Sequence, residues 1–211
     1  MPDPWAFGWD QIAAFLNVVV IGVATWVAWR SVRDWREERL DVRQSEVAEH
    51  ALILAYQAQE VFHRIRSISG FVGEGSSRKP EPNETPEEKQ ARDSAFVPVE
   101  RIANEARFFE QVVEIRPRVE TLFGKGRSQP FNEFLRMRWE IIGAARALSQ
   151  LGQRTYFPTE DQQAKHHAEV DKYERIIWRW PGNDPFEEDF TNAVASIEKF
   201  AGPLLESRLR H

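Results

Sequence analysis

Glu60-Val61-Phe62-His63 places a carboxylate and an imidazole three residues apart. On a helix that spacing puts both on one face, as in the four-helix carboxylate proteins that hold two iron ions. Such a centre needs a second Glu-x-x-His and two further glutamates. The nearest second segment, Gln163-Ala164-Lys165-His166, has an amide where the metal needs a carboxylate. His166 and His167 add two imidazoles, but neighbouring residues on a helix diverge by about 100° and do not face one ion. His167 and Asp171, four residues apart, form either a hydrogen-bonding pair or two ligands. Glu60, His63, His166 and His167 are thus the candidate ligands of a metal-dependent enzyme or sensor, which is one alternative reading. The leading expectation is no metal and no cofactor, with these residues on a solvated face.

Other chemistries fall away on composition and context. Gly70-Phe71-Val72-Gly73-Glu74-Gly75-Ser76-Ser77-Arg78 has the glycines of a phosphate-cradling loop. It lacks the lysine before the serine, carries Glu74 where phosphate would sit, and follows a helical pattern rather than a strand. It is read as a loop whose glycines take positive φ. Phe71 and Val72 stand out as apolar in a polar turn, and with Arg78 they are the candidate partner-binding residues. The chain has no cysteine, so thiolate metal sites, disulfides and cysteine nucleophiles are excluded. Its serines lie among polar loop residues with no base placed beside them, so no catalytic triad can be assembled. A formal net charge of -5 argues against a nucleic-acid partner held by bulk charge. The expectation is a protein that is not an enzyme.

The elements that would position these residues begin with an apolar run. Gln11 to Trp29 holds no ionisable side chain, whereas the mean hydropathy of the whole chain is -0.54. About 20 helical residues cross a hydrocarbon core of roughly 30 Å. Trp5 and Trp9 precede the run, Trp26 and Trp29 close it, and Arg30 and Arg33 follow, giving the bracketing expected of a membrane interface. Asp3 and Asp10 take the place of a basic leader, and Trp26-Val27-Ala28-Trp29 is a poor cleavage site, so an uncleaved anchor is expected. Arg30, Arg33, Arg36, Arg39 and Arg43 put the cytoplasm on the C-terminal side. Asp34, Glu37, Glu38 and Asp41 offset most of that charge, so this is an orientation signal rather than a polybasic lipid patch. Asn17, Ala24 and Ala28 share one face with Ile21 and form the candidate contact surface for another membrane helix.

Downstream, the pattern is helical throughout. Val47, Ala51, Leu54, Ala58, Val61, Ile65 and Ile68 make a heptad seam, widened by Ala48, Leu52, Ala55 and Phe62. Nothing breaks the chain between Trp9 and Ser69, so anchor and seam are expected in one helix. Residues 70–86 read as a long exposed Gly/Pro-rich loop. Thr85-Pro86-Glu87-Glu88 is a capping box that starts a helix, and Pro98 is expected to restart it, with Val99, Ile102, Ala106, Phe109 and Val113 on one face. Pro117 is expected to kink or end that helix. Pro130 opens the next and Gly152 stops it. Thr159-Glu160-Asp161-Gln162 caps a helix bearing Val170, Tyr173, Ile177 and Trp180. The last helix starts near Asp184, and Gly202-Pro203 should bend or end it.

The fold class is therefore all-α. A tail and transmembrane anchor span 1–30, a juxtamembrane helix spans 31–69, a loop spans 70–86, and 87–211 completes a cytoplasmic bundle of about five helices. The layout resembles that of bacterial single-pass membrane-anchored helical proteins. The resemblance covers the general organisation and the segment from Ile65-Arg66-Ser67 through Phe71 to Gly73-Glu74-Gly75-Ser76-Ser77-Arg78. It implies a bacterial source, hence the inner membrane, and no activity. The expected role is an anchored interaction or accessory subunit, with the bilayer and another membrane protein or a second copy as partners. A homo-oligomer built on the Val47–Ile68 seam is a third reading.

Overall fold

The computed structural model describes residues 9–152, 158–180, 182 and 184–209, with side chains from Ala14 onward except at 34, 36–38 and 207–209. Among these residues the chain is all-helical: α1 (Trp9–Ile65), α2 (Pro86–Asn104), α3 (Ala106–Phe123), α4 (Gln129–Leu151), α5 (Glu160–Ile177) and α6 (Glu187–Leu209). It divides into two compact units, Met1–Ser45 and Glu46–His211. In the first, the described residues are all helical and every described side chain from Ala14 to Arg43 is exposed.

The second unit is organised around α4, which meets α2, α3, α5 and α6. Its core takes Ala48, Ala51, Leu54, Ala55, Ala58, Val61, Phe62 and Ile65 from α1. The seam read from the sequence is thus buried within the chain itself, except Ile68, which lies past the helix end and is exposed. Small residues along Ala48–Ala58 let neighbouring helices approach closely, and Phe62 then fills the wider end. Its ring meets Phe109, Phe134 and Phe190 at 6.0, 6.3 and 6.1 Å, joining α1 to α3, α4 and α6.

Local signals set several helix ends as expected. Thr85 and Glu88 exchange both bonds of a capping box, with Pro86 at the first helical position. Thr159 caps α5 by accepting from the Gln162 amide, and Gly152 closes α4.

Three expectations are corrected. Pro98 does not restart a helix; it lies buried inside α2, which continues to Asn104. Of the kink or end expected at Pro117 and at Gly202-Pro203, the end does not occur, since α3 and α6 run on past both prolines. The break falls at Glu105 instead, whose φ of -94° and ψ of 18° leave the helical region, while its carboxylate accepts from Arg64 Nε at 2.9 Å. That interruption re-phases α3. Phe108, Phe109, Val112, Ile115 and Val119 face the core, while Ala106 and Val113 of the expected face are exposed. Finally, α5 stops at Ile177, so Trp180 is outside it and exposed.

Candidate functional site

Two regions carry features that the core does not need. The first is the apolar stretch Ala14–Arg33 of α1, twenty residues with mean hydropathy 1.6 and none buried. At 1.5 Å per residue it is ~30 Å long, the thickness of a hydrocarbon core. By length and composition it can cross a membrane; a signal sequence meets the same test. Phe15, Leu16, Val18, Ile21, Val23, Trp26 and Trp29 are all more than half exposed, and they spread over more than half of the helix circumference rather than along one stripe. Monomeric soluble proteins rarely show contiguous apolar patches beyond a few hundred Å².

Asn17, Ala24 and Ala28 are exposed on this stretch. The C-terminal end is marked by stacked pairs four residues apart: Arg30 lies 5.6 Å from the Trp26 ring and Arg33 5.4 Å from the Trp29 ring. A third pair, Arg39 at 3.7 Å over Trp35, extends the pattern. Sequence reasoning used Arg39 only as an orientation charge and passed over Trp35, although the repeated Trp-x-x-x-Arg spacing was there to find. Trp5 lies outside the described residues, as does the side chain of Trp9.

The second region is the connection from Ile65 to Pro86. The sequence suggests an unsupported polar loop, but ion pairs hold it. Arg101 of α2 donates to the carbonyls of Arg64, Ile65 and Ser67 at 3.1, 3.4 and 2.7 Å, capping the C-terminal end of α1. It also reaches Ser69 O at 2.9 Å and Glu74 Oε2 at 2.6 Å. This pairing lowers the Glu74 pKa. Glu100 accepts from the Gly75 amide. Gly75 itself sits at φ +83°, and a Cβ there would lie 2.0 Å from the Asp93 carbonyl, so only glycine fits.

Farther on, Glu84 is held between Arg78 at 2.9 Å and Arg92 at 2.5 Å, which depress its pKa from 4.5 to about 2. Arg78 also meets Asp93 at 3.0 Å. The assignment of Arg78 as a partner-binding residue is therefore corrected: its side chain is only 12% exposed and its charge is turned inward. The physical reason is the pair of carboxylates, one of them fifteen residues downstream, which the helix start at Thr85 brings to it.

Phe71 and Val72 do the opposite. At 85% and full exposure they project from this braced loop, and Ile68 beside them is half exposed. The backbone beneath is fixed, since the Phe71 amide donates to Glu74 Oε2 at 3.1 Å and its carbonyl accepts from the Glu74 amide.

Arg66 forms a second clamp that the sequence did not reveal. Its side chain is 3% exposed. It donates to both oxygens of Asp184 at 2.6 and 2.8 Å, and to the carbonyls of Arg175, Ile176 and Trp178 at 2.9, 2.9 and 3.2 Å. All five N–H groups are thereby used. Burial lowers the Arg66 pKa, and Asp184 opposes that shift. The clamp closes the end of α5 and fixes the start of α6, where Asp184 Oδ1 also accepts from the Phe186 amide.

The metal candidates do not gather. Among the described residues no group of three or more His, Asp or Glu comes together as a metal site. Glu60 is 79% exposed and lies 3.8 Å from Arg64. His63 and His167 are exposed, and the rings of His166 and His167 lie 6.2 Å apart and steeply inclined. No family model matches the chain, no curated protein matches it, and no solved structure matches it.

Proposed function

We propose that the chain is a single-pass membrane-anchored interaction subunit. In this reading the N-terminus lies outside a bacterial inner membrane and a cytoplasmic helical bundle recruits a partner protein through a fixed apolar knuckle at Phe71 and Val72. The observation that carries it is the twenty-residue apolar stretch Ala14–Arg33, exposed on every side and closed by Trp–Arg pairs. Water is a poor solvent for such a surface at ~25 cal/mol per Å², whereas lipid is a good one. Asn17, Ala24 and Ala28 supply the small polar face through which a second membrane helix docks. The loop adds the cytoplasmic contact. A phenylalanine held out on a braced backbone enters a partner's pocket with little loss of conformational freedom, the property of an interface anchor.

The third reading, self-association through the seam, has less support, since Ala51, Leu54, Ala58 and Ile65 are already enclosed by α2–α6.

The absence of cysteine makes the test direct. Ser69→Cys in intact spheroplasts is expected to resist a membrane-impermeant maleimide and to react after permeabilisation, and the chain is expected to stay in the membrane pellet after carbonate washing. The double variant Phe71→Ser/Val72→Ser is then expected to lose a stoichiometric co-purifying protein while keeping the parent's circular dichroism. Carbonate-soluble protein would overturn the anchor. A partner retained by the double variant would overturn the knuckle.

A further inference from the structure

The end of α1, the middle of α4 and the start of α6 enclose a cavity of about 130 Å³. Its floor is apolar, made by Phe62, Met137, Phe186 and Phe190. Its back wall is the Arg66–Asp184 clamp. Arg66 has no N–H left to give, and both Asp184 oxygens already accept from it. The wall is therefore electrically closed and offers a ligand no strong bond.

The rim differs. Arg179 comes no nearer than 3.5 Å to Asp184, longer than a good hydrogen bond, and its side chain is 47% exposed. Glu187, Gln59 and His63 line the opening, and among the described residues their side chains make no hydrogen bond or ion pair. The mouth thus presents one cation only loosely paired with Asp184, one anion, and two further hydrogen-bonding groups above an aromatic floor.

Size narrows the choice. Pockets for cofactors and drug-sized ligands begin near ~300 Å³, so a pocket this small favours a small molecule over a nucleotide, a haem or a peptide. A small molecule that carries both charges on an apolar body fits best. We propose that this cavity binds a free α-amino acid with a compact apolar side chain. Its carboxylate would pair with Arg179, its ammonium with Glu187, and its side chain would rest on Phe62, Phe186 and Phe190. This site is independent of the membrane reading. It bridges the end of α5 and the start of α6, so occupancy would tighten the junction that Arg66 already holds.

The test is calorimetric titration of the full-length chain in mild detergent with L-valine. Isovalerate lacks only the ammonium and isobutylamine lacks only the carboxylate, so they serve as controls. Saturable binding of L-valine is expected, with each control at least about tenfold weaker, the loss of one charge pair. Arg179→Gln is expected to weaken L-valine and leave isobutylamine unchanged; Glu187→Gln is expected to weaken L-valine and leave isovalerate unchanged. Both side chains are on the rim, so unchanged melting temperatures would show that the variants fold. No saturable L-valine signal, equal affinity for all three compounds, or folded variants that bind L-valine like the parent would each overturn the proposal.

Discussion

Two stretches of α1, Ala14–Arg33 and Ala48–Ile65, are both rich in apolar residues and meet opposite fates. In the first, large apolar side chains surround most of the helix, all but the Asn17, Ala24 and Ala28 sector, and all are exposed. In the second most of them keep to one face, where Ala51, Leu54, Ala58 and Ile65 are wholly buried, and only Ile53 and Tyr56 stand exposed off it. The difference lies in angular distribution. A one-sided stripe can be covered by neighbouring helices of the same chain, whereas an apolar surface around most of a helix needs an apolar solvent or a ring of partners. Hydrophobic content alone does not say which environment a helix seeks.

The sharpest way to break this comparison is at its buried end. Arg66→Met is expected to destabilise the helical unit by about 3–5 kcal/mol, because it strands the Asp184 carboxylate and three carbonyls in the interior. Chemical denaturation of the detergent-solubilised chain measures it, and adding Asp184→Asn is expected to restore part of the loss.

Matched truncations come next. Leu54→Ala is expected to cost ~3 kcal/mol in the same assay. Ile21→Ala, on the exposed stretch, is expected to shift it by less than ~0.5 kcal/mol. Equal effects would remove the distinction between the two stretches. A charge gives the converse: Val20→Arg is expected to oppose membrane insertion by ~3 kcal/mol and to move protein from the carbonate-resistant pellet to the supernatant.

Smaller still is an acid effect on the loop. Glu84 titrates near 2 when folded against 4.5 otherwise, so its ion pairs stabilise the loop fully above about pH 4.5. That contribution fades as pH falls from there toward 2. Hydrogen exchange at the Arg78 amide, which donates to the Gly75 carbonyl, corrected for the intrinsic rate, is expected to speed up over that window, and Glu84→Gln is expected to reduce the pH dependence. The least effect on stability is expected from Phe71→Ser, within ~0.5 kcal/mol, because its ring touches so little of the fold.

Much of the architecture was legible because its causes are local. A capping box at Thr85–Glu88 and Thr159 before Gln162 supply donors and acceptors within three residues, so they work the same way in any fold. The broad apolar run and the one-sided stripe are likewise properties of spacing. Proline marked helix starts at Pro86 and Pro130 but not helix ends, since Pro98, Pro117 and Pro203 all lie inside helices. The missing helical bond is affordable where tertiary packing holds the turn on either side, as at buried Pro98.

What sequence left hidden depends on partners far along the chain. Arg66 and Arg78 look alike in the stretch from Ile65 to Arg78, yet neither is a surface cation. Arg66 closes α5 through residues more than a hundred positions away, and Arg78 is drawn inward by Glu84 and Asp93. Glu105 breaks a helix with no proline or glycine beside it, its carboxylate tied to Arg64 forty-one residues earlier. The sequence by itself determined the helical class, the apolar stretch near the N-terminus and most helix starts, because hydrophobic period and capping act within a turn or two. Only the tertiary structure decided which charges are buried, where α2 gives way to α3, and that Phe71 and Val72 face outward, because a guanidinium's role is set by which carboxylates and carbonyls folding brings within about 3 Å.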